Sequence, residues 1–247
     1  MDHKFKKKWG QNFINDTNVL KKIVRTCPLE EDDLVIEIGS GSGNLSLEII
    51  NTGASLISFE IDESLKDHLE ERFKGTKASF YFMDFLKADL NSILKNYEYN
   101  NLYLIANIPY YITTKIIKKV LEEEINVKAL TLLMQKEVGD RITAKPKHRE
   151  YGSLTVILNY YFEINREFNV NRKVFYPIPK VDSTVLTFKR NNRKYDKEFN
   201  DFIYKCFKQK RKTLSNNLNI KMDSKVRAEE LSLEELISLY ERYNDML

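Results

Sequence analysis

The sequence predicts an α/β protein: a mostly parallel sheet with helices on both faces over residues 1–190, then a small all-α domain over 191–247. Three observations predict it. From Asp16 to Met134, short β-branched apolar runs alternate with amphipathic stretches, the pattern of successive strand and helix units. The segment Gly39-Ser40-Gly41-Ser42-Gly43 follows the first of these runs directly, and open α/β sheets bind ligands beyond the carboxyl ends of their strands. Beyond Arg190 strand signals stop and only helical periodicity continues.

The elements follow from local chemistry. Asp16 can accept first-turn N–H groups and so cap a helix to about Arg25, and Leu34 to Ile38 is a β-branched apolar run that reads as a buried strand. Asn44 to Ile50 is short and amphipathic, and Ser55 to Glu60 reads as a second strand. A helix with Leu65, Leu69 and Phe73 on one face follows, then a strand at Ala78 to Phe82 and a helix at Lys87 to Leu94. Leu102 to Ala106 (strand), Thr113 or Thr114 to Glu122 (helix) and Ala129 to Met134 (strand) complete the alternation. After Gln135 come a helix, a basic loop containing Pro146, and two runs, Leu154 to Phe162 and Val181 to Phe188. Both are compatible with late antiparallel strands, the first also with part helix. Pro177 and Pro179 bracket a rigid turn before the last strand. In the C-terminal part Phe199, Ile203, Cys206 and Phe207 mark one amphipathic helix and Leu231 to Tyr243 another.

Composition bounds the function. At 247 residues and 42% hydrophobic content the chain can bury a core, and no apolar stretch approaches the roughly 18 residues of a membrane span. The basic start leads into Trp9-Gly10-Gln11-Asn12 rather than an apolar segment, so no secretory signal is expected and the cytoplasm is the expected compartment. Cys27 and Cys206 are too few and too far apart for a disulfide framework or a metal site, and no metal is expected. The net charge of +4 is unevenly placed. Lys189 to Lys212 holds ten basic residues against three acidic ones, and Arg141, Lys145, Lys147, His148 and Arg149 form a second cluster. Together with the N-terminal lysines, and with Tyr and Phe interleaved, these suit a surface that tracks phosphates. Arg141, Lys145, Lys147, Arg149, Lys208, Lys210, Arg211 and Lys212 are the candidate RNA-binding residues.

The candidate site lies at strand ends. Glycines at 39, 41 and 43 permit a tight turn and close backbone approach to a ligand, with a helix N-terminus behind. Glu60, closing the second strand, is placed to accept two ribose hydroxyls, and Asp84 after the third can contact an adenine amino group. A dinucleotide would want G-x-G-x-x-G, whereas here the third glycine comes one residue early, so an S-adenosyl nucleoside fits better than a nicotinamide dinucleotide. Asn107-Ile108-Pro109-Tyr110 follows the fourth strand. The Asn107 amide oxygen and the Ile108 carbonyl can accept both N–H bonds of a planar exocyclic amine and favour a more pyramidal, nucleophilic nitrogen. Pro109 fixes φ, and Tyr110 offers a stacking face. These four residues alone are also compatible with an ordinary strand-to-helix turn.

Taken together, Gly10-Gln11-Asn12-Phe13, the Glu37-Ile38-Gly39-Ser40-Gly41 turn, Asn107-Ile108-Pro109-Tyr110 and Phe175-Tyr176-Pro177-Ile178-Pro179-Lys180-Val181-Asp182-Ser183 resemble the ribosomal RNA adenine N6-dimethyltransferases, from about Lys8 to about Leu218. The resemblance implies a class I, Rossmann-like methyltransferase with a seven-stranded sheet, S-adenosylmethionine as cofactor, and two methylations of an adenine amino group. Asn12, Ile14, Gly39, Gly41, Glu60, Asp84 and Asn107 match the family's cofactor positions, and Tyr110 and Phe175 its aromatic pair around a flipped adenine. Ser40 stands where Pro is usual, Ile14 where Leu is commoner and Tyr111 where Asn is frequent. Met134 to Arg141, Tyr151 to Leu154 and Gln209 to Leu214 are similar to the branch that dimethylates two adjacent adenosines in a loop near the 3′ end of small-subunit (16S) rRNA, with a role in small-subunit biogenesis. A large-subunit (23S) enzyme of the macrolide-resistance branch, a non-catalytic RNA-binding assembly factor and a dinucleotide oxidoreductase are the alternatives. The expected partners are small-subunit rRNA and the assembling subunit, with a monomeric enzyme. His3, His68 and His148 are expected at the surface without a catalytic role.

Overall fold

The computed structural model describes residues 13–107, 112–191, 193–220 and 225–244. The chain divides into two compact units, Met1–Lys136 with Asn165–Arg190, and Glu137–Ile164 with Asn191–Leu247.

In the first unit, β1 (Phe13–Ile14) leads into α1 (Thr17–Val24). Asp16 caps α1 as expected, its Oδ1 accepting from Asn18 N at 2.9 Å and Val19 N at 3.3 Å. Then follow β2 (Leu34–Ile38), α2 (Asn44–Ile50), β3 (Ser55–Glu60), α3 (Lys66–Arg72), β4 (Ala78–Phe82), α4 (Leu90–Leu94), β5 (Leu102–Asn107), α5 (Thr113–Glu122) and β6 (Val127–Gln135). After α6 (Lys136–Ile142) and α7 (Ser153–Tyr161) come β7 (Phe162–Val170), β8 (Phe175–Tyr176) and β9 (Ser183–Arg190). The main sheet has seven strands in the order β4-β3-β2-β5-β6-β9-β7, parallel from β4 through β6, with β9 antiparallel to β6.

Alternation along the central strands buries both faces. Val35, Leu56, Tyr103 and Ile105 pack with Leu20, Ile23 and Val24 of α1 and Leu45 and Ile49 of α2 in one core cluster. Leu34, Ile36 and Leu104 point the other way and are equally buried. Beside this core, Leu69 and Phe73 of the α3 segment pack against Phe80 and Phe82 of β4.

Of the two readings open for the Leu154 run, the helical one holds. The run from Leu154 is the helix α7, and the strand is the next segment, β7. A run as apolar as Leu154–Phe162 carries no period that separates helix from strand. The alternation of Phe162, Ile164, Phe168 and Val170 with polar neighbours is the true strand signal. β7 lies at the sheet edge and carries the exposed charged residues Glu163, Arg166 and Glu167.

The second unit contains α7, α8 (Lys197–Cys206), α9 (Leu214–Leu218) and α10 (Leu233–Asn244). Its core is aromatic: Tyr160 stacks on Phe199 with centroids 3.8 Å apart, and Tyr240 meets Phe199 edge-on at 5.3 Å. The buried Tyr161 hydroxyl donates to Asn200 Oδ1 at 3.1 Å. These interactions draw Glu137–Ile164 into the unit that the sequence begins only at residue 191. Ring pairing across about 40 positions leaves no mark on local pattern.

Candidate active site

The expected site residues of the first unit collect at the carboxyl ends of four adjacent parallel strands. Gly39 follows β2, Glu60 ends β3, Asp84 follows β4 and Asn107 ends β5. Parallel pairing aligns these ends on one side of the sheet.

The turn after β2 requires glycine. Gly39, Gly41 and Gly43 have φ of 83°, 53° and 81°, in the left-handed region. A Cβ on Gly41 would lie 2.4 Å from Phe13 Cε1, and one on Gly43 would lie 2.7 Å from Phe73 Cε2. A Cβ on Gly39 would lie 3.6 Å from the Asn107 carbonyl oxygen, so the turn runs beside the end of β5.

Glu60 is 3% exposed and reaches back to this turn. Its Oε2 accepts from Gly41 N at 2.8 Å and its Oε1 from Asp62 N at 2.9 Å. Burial raises its pKa, opposed by these backbone donors. Ile61 N–H also acts on this carboxylate, which keeps acceptor capacity for a hydroxyl donor. Asp84 is half-buried and its Oδ1 caps the short turn after it, accepting from Leu86 N at 2.9 Å. Asn107 is half-buried at the end of a strand whose preceding five residues are fully buried.

β1 and β8 form a separate two-stranded ladder in which Ile14 faces Phe175 and Phe13 faces Tyr176. The pairing joins two candidate site residues that are far apart in the sequence. It also corrects an expectation: Phe175 does not present an open stacking wall, because it is 3% exposed and packs with Ile14 in the core cluster. Tyr176, its neighbour, is the exposed ring at 54%. Asn12, Ile108, Pro109 and Tyr110, with Gly10, Gln11 and Tyr111, lie outside the described residues.

Several supporting residues had no signal in the sequence. Arg72 of α3 donates to the Ser42 carbonyl and, at 3.1 Å, to Asn44 Oδ1, while His68 Nε2 lies 3.4 Å from the same carbonyl. Beneath the turn, Ser40 and Ser58 hydroxyls are 2.6 Å apart, and Ser58 and Ser46 donate to Glu37 Oε2 at 2.6 and 2.5 Å. Glu37 is completely buried, and burial lifts its pKa to about 7.

In the second unit, tertiary structure joins the two basic clusters. Lys210 Nζ donates to the Arg149 carbonyl and lies 3.5 Å from Glu229, whose own carbonyl accepts from Lys147 N at 2.7 Å. Arg141, Lys145, Lys147, Arg149, Lys208, Lys210, Arg211 and Lys212 are all exposed. His68 and His148 are exposed as well, and both cysteines are buried free thiols. Among the described residues, no group of three potential ligands could hold a metal ion, and no helix is long and apolar enough to cross a membrane.

The sheet order, the glycine turn and the carboxylate on the next strand define a class I methyltransferase dependent on S-adenosylmethionine. The donor set fits that nucleoside: a glycine turn at the strand ends, the buried Glu60 carboxylate for hydroxyl groups and the half-buried Asp84 carboxylate for an amino group. The model of the ribosomal RNA adenine dimethylase family matches residues 2–242, and the chain belongs to that family. It is 40% identical to a protein named ribosomal RNA small subunit methyltransferase A from Thermotoga maritima, over 99% of this chain and 87% of the relative. The protein of the same name from Mycoplasma capricolum is 36% identical over 96% of this chain and 97% of its own. Among solved structures, a dimethyladenosine transferase from Plasmodium falciparum superposes with a TM-score of 0.81 at 23% identity, covering 94% of this chain and 98% of that one. The 23S rRNA methyltransferase ErmE superposes at 0.73 with 24% identity, covering 94% and 99%. Both share the fold, which therefore does not choose between RNA substrates.

Proposed function

We propose that the protein dimethylates, at N6, two adjacent adenosines in the loop near the 3′ end of small-subunit rRNA, during assembly of the small subunit in the cytoplasm. The observation that carries the site assignment is Asn107 at the end of β5, with the Gly39 turn running beside its carbonyl. The choice of subunit rests on relatives named for the small subunit that match nearly the whole chain.

S-adenosylmethionine, when bound, supplies the methyl group from its sulfonium. The chain's own groups position it and the acceptor. Ile14, Asn12 and the turn at Gly39 and Gly41 hold the amino-acid part, Glu60 accepts the ribose hydroxyls, and Asp84 meets the adenine amino group. At the acceptor, Asn107 Oδ1 and the Ile108 carbonyl take the two N–H bonds of the target amine, with Pro109 fixing the carbonyl's direction. Tyr110 stacks on the extruded base, and the buried Phe175 supports the pocket from the core. The alkylated nitrogen is acidic enough to release its proton to water, so no histidine is needed. Arg141, Lys145, Lys147, Arg149, Lys208, Lys210, Arg211 and Lys212 meet RNA phosphates, and the enzyme acts as a monomer.

Labelled methyl transfer to unmethylated small subunits and to large-subunit RNA, with the modified nucleoside mapped, tests this. Dimethyladenosine at two adjacent positions of small-subunit RNA is expected, and Asn107→Ala should lose it while still folding. Product confined to large-subunit RNA, or full activity in Asn107→Ala, overturns the reading.

A further inference from the structure

The buried polar chain beneath the glycine turn does more than fill space. A hydroxyl has one proton to donate. Ser58 donates its own to Glu37 Oε2, so the 2.6 Å hydrogen bond between Ser40 and Ser58 is made by Ser40 donating. The chain therefore runs in one direction, Ser40 to Ser58 to Glu37, with Ser46 of α2 closing on the same oxygen. All four side chains are buried, Ser40 at 5% exposure and the others at 0%. Ser40 lies between Gly39 and Gly41, both at positive φ, and glycine, having no Cβ, has little intrinsic preference for that conformation over others. Two side-chain anchors remove that freedom: Glu60 takes the Gly41 N–H, and Ser58 takes the Ser40 hydroxyl. Both come from β3.

We propose that Ser40 is a positioning residue for the cofactor: its hydroxyl, through Ser58, locks the glycine turn onto the buried Glu37 carboxylate and so pre-organises the backbone that receives the nucleoside. This rests on the cofactor site described above. Among the described residues Glu37 Oε1 is buried without a hydrogen-bond partner, so the carboxylate is held by its Oε2 alone. The charged group acting on Glu37 is Glu60 of β3; β3 and α2 otherwise present it with Ser58 and Ser46, and its β5 partner is Ile105.

The test is calorimetric binding of S-adenosylhomocysteine to the full chain, with Ser40→Ala, Ser58→Ala and the double variant. Losing one neutral hydrogen bond of about 1 kcal/mol predicts about a fivefold rise in Kd for Ser40→Ala. Because the two hydroxyls act as one link, the double variant should be no weaker than the weaker single variant. Thermal melting of the same samples separates the alternatives. Lower melting temperatures with unchanged Kd, or losses in affinity that add, overturn the proposal. Failure of wild type to bind while methyl transfer persists would instead overturn the cofactor-site assignment itself.

Discussion

Replacing Glu37 with Gln should remove a loss of stability that the wild type suffers as pH rises from about 4 to about 8. The carboxyl is fully buried, accepts two serine hydroxyls on Oε2 and has no partner for Oε1. Desolvation outweighs the two donors and lifts its pKa from 4.5 to about 7, with Glu60 adding to the rise. An acid whose folded pKa is raised stabilises the folded state fully below its unfolded pKa. That contribution is lost as pH climbs from 4.5 to about 7, because the unfolded chain ionises first. At 1.36 kcal/mol per pKa unit, the loss is about 3 kcal/mol. Glutamine cannot ionise, but its amide N–H groups replace Oε1 where no acceptor waits, at a cost of about 1–3 kcal/mol. The variant is therefore expected to be no more stable than wild type at pH 4 and to gain on it by about 3 kcal/mol on reaching pH 8. Urea unfolding followed by circular dichroism at both pH values measures the difference. Parallel stability curves for the two proteins would refute the assignment of a neutral buried acid.

Three further outcomes are expected. Gly41→Ala should weaken cofactor binding at least tenfold by calorimetry, because alanine must adopt φ of 53° and drive Phe13 aside from 2.4 Å. Pairing it with Phe13→Ala should recover only the steric part. Phe199→Ala removes the ring between Tyr160 and Tyr240, and the second unit should lose about 3–5 kcal/mol, read as earlier proteolysis within 191–244. Neutralising Lys208, Arg211 and Lys212 together should flatten the salt dependence of RNA binding by about 0.7–0.9 in log–log slope for each phosphate no longer neutralised. Lys210→Ala should change it less, since Lys210 already faces Glu229 at 3.5 Å.

The position of the candidate residues was legible because they occupy strand ends, and strand ends are visible as boundaries of apolar runs. Gly39, Glu60, Asp84 and Asn107 can be aligned once the sheet is inferred to be parallel. Ile14 and Phe175 stand out in the sequence, yet their pairing does not, since a two-residue ladder has no periodicity to read. The same holds for Arg72 on the turn and for the serines under it, which meet Ser42 and Glu37 across 9 to 30 positions. The burial of Phe175 is hidden from the sequence because an aromatic residue in a motif looks the same whether it faces a ligand or the core.

The sequence by itself determined the order of strands and helices through their periods, the glycine turn through its composition, and the family through four ordered motifs. Tertiary structure alone decided which residues share a surface. It placed Glu137–Ile164 with the C-terminal helices, joined two basic clusters around Lys147, Arg149, Lys210 and Glu229, and put a titratable carboxylate under the glycine turn. Local pattern reports only which face of an element turns inward. What meets that face depends on pairings between distant positions, and those are set by packing.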